Sequence, residues 1–92
     1  MSLTSRRGGH AVLLVAATAR RTLDETTAGR TGSHVSIAEV WDAVIDTPDK
    51  LPASTRPAVR AALRKYDRAI VSALFEHPCG TPSQIANRVL AP

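Results

Sequence analysis

Apolar residues recur at steps of three and four along most of this 92-residue chain. That is the spacing of helices buried along one side, not of strands. Val12, Val15, Ala16, Ala19 and Leu23 mark a first helix over residues 9–28, with Leu13 and Leu14 widening its face. Ile37, Val40, Trp41, Val44 and Ile45 mark a second, and Val59, Ala62, Leu63, Tyr66 and Ile70 a third. Ile85, Ala86, Val89 and Leu90 mark a short last one. Fifteen alanines against a single Trp41, Tyr66 and Phe75 point the same way, because alanine favours helix and aromatic residues favour sheet. The expected fold is all-α, a small bundle of four to five helices. One domain spans residues 9–92, behind a flexible basic arm or expression scar at residues 1–8.

Local signals place the helix ends. Gly29, Gly32 and Ser33 open a loop with Arg30 at its tip. Ser36 with Glu39 forms a capping box, and Thr81 with Gln84 forms another. Pro48 stops the second helix, and a connector over residues 47–53 follows. Ser54 or Thr55 caps the third helix, with Pro57 in its first turn, where the missing N–H costs nothing. From Pro57 no breaker intervenes before Glu76. Beyond Asp67, however, Val71, Leu74 and Phe75 turn apolar on a new side. Either the helix breaks near residues 67–69 or its second half is buried all round, for instance in a dimer. Val59, Leu63, Tyr66, Ile70, Ala73 and His77 also fit a heptad seam, consistent with a homodimer.

Ser5-Arg6-Arg7 ahead of the apolar run 11–17 has the outline of a twin-arginine export signal. The run is only seven residues and Arg20-Arg21 follow at once, so the segment reads as a first core helix behind an arm hinged at Gly8-Gly9. No apolar run reaches the roughly 20 residues of a membrane span, and the lone Cys79 allows no intrachain disulfide. A cytoplasmic protein without a membrane partner is expected. His77 and Cys79 form one close pair where tetrahedral zinc needs two, so neither metal nor cofactor is expected. No spacing joins a nucleophile to a base, and no glycine-rich phosphate loop is present, so the chain is not read as an enzyme and has no catalytic residue to name. Trp41 lies on the apolar stripe of its helix and reads as core.

Charge is where the chain departs from an anonymous bundle. Twelve Lys and Arg stand against eight Asp and Glu, and ten of the twelve are Arg, whose planar fork suits phosphate and guanine. Arg56, Arg60, Arg64 and Arg68 are spaced by four. Such residues drift only about 40° per step, so they form one ridge, away from the packing face of Val59, Leu63 and Ile70. Arg56 and Arg60 also lie at the positive end of the helix dipole, where cations are unfavourable unless an anion is the neighbour. The bland alternative is a solvated face of an Arg-rich protein.

Ser54-Thr55-Arg56-Pro57-Ala58-Val59-Arg60-Ala61-Ala62-Leu63-Arg64-Lys65-Tyr66 resembles the recognition helix of gluconate-repressor-type (GntR) winged helix-turn-helix regulators. Val35-Ser36-Ile37-Ala38-Glu39-Val40 looks like the opening of the preceding helix. The resemblance implies that Thr55 and Arg56, with Arg60 following, sit where that family contacts double-stranded DNA. On the ridge's own account Arg60, Arg64 and Arg68 neutralise phosphates while Thr55 and Arg56 approach base edges. Independently, Arg6 and Arg7 ahead of Gly8-Gly9 would form an arm for the minor groove of the kind homeodomains use, or a plain tail. The resemblance also implies a β-hairpin wing after the helix. Asp67-Arg68-Ala69-Ile70-Val71 has no glycine and reads as helix, so the wing is expected to be absent or atypical. The alternative function is a helical interaction or dimerisation module, with Val71, Leu74 and Phe75 as its surface.

Overall fold

The computed structural model describes residues 2–28, 35–77 and 80–91, without the side chains of residues 2–8. Four α-helices and no strand occur among them: α1 (Ser2–Thr27), α2 (Ile37–Ile45), α3 (Arg56–Glu76) and α4 (Pro82–Leu90). The 29–34 loop and Cys79 lie outside the described residues.

α1 begins seven residues earlier than its apolar pattern and runs straight through Gly8 and Gly9. The expected hinge is therefore corrected: the backbone of residues 2–8 continues the helix. Each glycine costs only about 1 kcal/mol relative to alanine and leaves every backbone bond in place, so without a proline a helix can pass through both. At 1.5 Å per residue the helix is about 39 Å long, against a longest molecular dimension of 43 Å. It packs on α2, α3 and α4. Ala11, Val12, Val15, Ala16, Ala19 and Leu23 are buried, as their spacing requires. The small alanines in that row let three neighbours approach one rod.

Both capping boxes form. Glu39 N–H donates to Ser36 Oγ at 3.2 Å, and Ser36 N–H to Glu39 Oε2 at 3.4 Å. Gln84 N–H donates to Thr81 Oγ1 at 3.2 Å, and Thr81 N–H to Gln84 Oε1 at 2.9 Å. The connector between α2 and α3 is ordered as two 3₁₀ turns, Thr47–Lys50 and Ala53–Thr55. Thr47 is buried and its hydroxyl donates to Ala43 O at 3.0 Å, while Pro48 is buried beside it. Thr55 stands at the α3 N-cap position, but its hydroxyl donates back to Pro52 O at 2.8 Å and makes no cap.

α3 is one unbroken helix of 21 residues, so no break occurs near Asp67. Its second half is not buried all round either: its own chain covers one side, while Ala69, Ser72, Phe75 and Glu76 stay exposed. Val71 is 4% exposed and Leu74 1%, in one core with Ile85, Ala86 and Val89 of α4. Val71 and Leu74 are therefore not a docking surface, because α4 returns to pack on α1 and α3. Phe75 alone of that trio is exposed, at 44%. Val59, Leu63, Ile70 and Ala73 of the heptad pattern are buried within the chain as well, so the seam is used internally.

The expected stripe of α2 is also corrected. Val40, Ala43 and Val44 are buried, whereas Ile37 is 58% exposed, Trp41 38% and Ile45 46%. The sequence stripe spans a wider arc than the face that α1, α3 and the first 3₁₀ turn cover.

Candidate nucleic-acid interface

The outer face of α3 carries Arg60, Arg64 and Arg68, all exposed. α3 earns its helical geometry from the opposite face, where Val59, Ala62, Leu63 and Ile70 are buried. With that face anchored, the three guanidinium groups project at intervals of about 6 Å along about 12 Å of helix. Among the described residues none of the three forms an ion pair or a side-chain hydrogen bond. The nearest carboxylate in sequence is Asp67, whose Oδ1 accepts the Arg68 backbone N–H at 2.7 Å.

Arg20 and Arg56 are tied to the fold, whereas Arg21 and Arg88 are as exposed and unpaired among the described residues as the ridge, so what sets the ridge apart is its alignment on one helix face. Arg20 donates from Nη2 to the carbonyl of His77 at 3.0 Å, closing the C-terminal end of α3 with a positive charge where the helix dipole favours one. Its Nε and His77 Nε2 are buried without a partner. Arg56 is half-buried, and its Nε donates to Pro48 O at 3.1 Å and Leu51 O at 3.3 Å. It is therefore set apart from the exposed ridge, because the 3₁₀ turns aim two carbonyls at it. The spacing of four does not reveal this, since it concerns the connector rather than the helix.

A measurable difference follows. Arg56→Ala leaves two carbonyls of the connector without their charged donor and should destabilise the fold by about 1–2 kcal/mol. Arg60→Ala should stay within about 0.5 kcal/mol. Chemical-denaturation midpoints check this, and equal effects at the two positions would contradict the assignment.

No family model, curated protein or solved structure matches the chain. The site therefore stands on its own geometry. Of the sequence-derived residues, the structure gathers Arg60, Arg64 and Arg68 on one face and ties Thr55 and Arg56 to the connector. It buries Val71 and Leu74. The side chains of Arg6 and Arg7 lie outside the described residues.

Two further residues join the face. Lys65 is exposed beside the ridge, its Nζ 5.4 Å from the Tyr66 ring centre. Phe75 falls within about 20° of Arg64 and Arg68 on the helix surface. Lys65 is missed by a rule of fours because it sits one step off the row. Its signal was simply a fourth cation between Arg60 and Arg68. Among the described residues no three His, Cys, Asp or Glu side chains gather as metal ligands, and no helix is long and apolar enough to cross a membrane.

Proposed function

We propose that this protein binds double-stranded DNA through the outer face of α3, as the DNA-binding module of a transcriptional regulator or a replication or partition factor in the cytoplasm. The observation that carries the reading is the ridge of Arg60, Arg64 and Arg68, exposed and without carboxylate partners among the described residues. Polyanions are the natural counter-ligand of such a row, and phosphate contacts set position and most of the affinity. Arg60, Arg64, Lys65 and Arg68 meet phosphates. Thr55 and Arg56 have a different role from the one the resemblance implies: they brace the connector that fixes where α3 begins. α2 and α3 act as a helix-turn-helix-like pair with an extended turn. A homodimer on one duplex doubles the phosphates met.

Titrating a short duplex into isotopically labelled protein, with amide shifts followed by NMR, tests the placement. The expected perturbations map to the exposed positions of residues 57–69. Shifts confined to α2 or α4, or none at low salt, would sink the reading.

A further inference from the structure

The opposite charge gathers elsewhere on the same molecule. Four of the chain's eight acidic residues, Glu39, Asp42, Asp46 and Asp49, fall within residues 39–49, which contain no Lys or Arg. Asp42, Asp46 and Asp49 are exposed and form no ion pair among the described residues. Asp46 occupies the C-cap of α2, and no basic residue lies in that helix's last turn. A carboxylate there faces the negative end of the dipole, a placement that works against the helix.

Beside these carboxylates runs the exposed apolar row Ile37, Trp41 and Ile45. Residues four apart drift about 40° per step, so the three form one ridge about 12 Å long. Asp42 and Asp46 lie about 100° and 140° around the helix from Trp41, along one flank. Three large apolar side chains aligned on one helix are a patch and not scattered exposure.

The flanking charge selects the occupant. A parallel second α2 would leave the carboxylates without a cation, and an antiparallel one would bring them against their like. Anionic lipid and nucleic acid are repelled for the same reason. The basic face of a second α3 offers one exposed large apolar side chain, Phe75, against a row of three. We propose that the ridge Ile37–Trp41–Ile45, flanked by Asp42 and Asp46, docks an amphipathic helix of a partner protein whose apolar stripe is bordered by Lys or Arg. This is the helix-to-helix mode of recognition, with anchors at four-residue steps. It uses none of the residues assigned to DNA, so either reading can fail alone.

Trp41 is the only tryptophan, so intrinsic fluorescence reads the patch directly. The probe is a synthetic helical peptide of Ala, Leu and Lys, with Leu at four-residue steps and Lys alongside. One control has the same composition in scrambled order, and the other has Glu in place of Lys. The basic helix is expected to blue-shift Trp41 emission and shield it from iodide, and the two controls are not. Asp42→Lys/Asp46→Lys should weaken the binding about tenfold or more while duplex-DNA binding is retained. Ile37→Ser/Ile45→Ser should abolish it, and circular dichroism confirms that each variant is folded. If a charge-reversed variant fails to fold, the Glu peptide decides the electrostatic part on the unmodified protein. Equal response to all three peptides, or indifference to the charge reversal in a folded variant, overturns the proposal. A concentration-dependent blue shift of the protein alone, unaffected by peptide, assigns the ridge to a second copy and overturns it as well.

Discussion

Leu74→Ala is expected to destabilise the protein by about 2–5 kcal/mol, through lost burial and the cavity left behind. Its neighbour Phe75→Ala should cost only about 1–2 kcal/mol, since that residue is 44% exposed. A domain of this size has a total stability of only about 5–14 kcal/mol, so the first variant sits near the edge of folding. The second should stay well folded, with the smaller loss of the two. The contrast follows from one helical step: Leu74 is 1% exposed in a core shared with α1 and α4, whereas Phe75 is 44% exposed on the outer face. Urea denaturation of the two variants measures it. A Leu74→Ala protein no less stable than Phe75→Ala would mean that α4 does not cover α3, and would return Leu74 to the surface.

Arg60→Ala/Arg64→Ala/Arg68→Ala should have the opposite profile. The three side chains hold nothing together among the described residues, so the melting temperature should change little. Duplex affinity, by contrast, should fall roughly a hundredfold or more at about 0.1 M salt, given about 0.9 counterions released per phosphate neutralised. A stable variant that binds as tightly as wild type would show the ridge to be only a solvated face. A variant that unfolds would show it to be structural.

What the chain reveals by its pattern is mostly local. The helix period, the prolines at residues 57 and 82 and the two capping boxes place α2, α3 and α4 to within a residue or two, because each signal acts over one turn. The row of Arg60, Arg64 and Arg68 is legible for the same reason. Periodicity says which residues share a ridge, but not which ridge another element will cover. That is decided by where α4 returns, and so Val71 and Leu74 read as surface while being core. The same blindness reads Ile37, Trp41 and Ile45 as core although they are 58%, 38% and 46% exposed. Arg56 belongs to the row by arithmetic and leaves it through hydrogen bonds to Pro48 and Leu51, carbonyls whose direction depends on two 3₁₀ turns with no sequence period of their own. The glycines at residues 8 and 9 are weak breakers on their own, and a long helix continues through them.

The central assertion is that guanidinium groups on the solvent side of α3 await phosphates. Duplex-binding constants measured from low to moderate salt, for wild type and the triple-arginine variant side by side, test it most directly. The wild-type log–log plot should fall with a slope of several units, and the variant's slope should be shallower by about 2–3. Parallel lines, or a flat wild-type line, would contradict it.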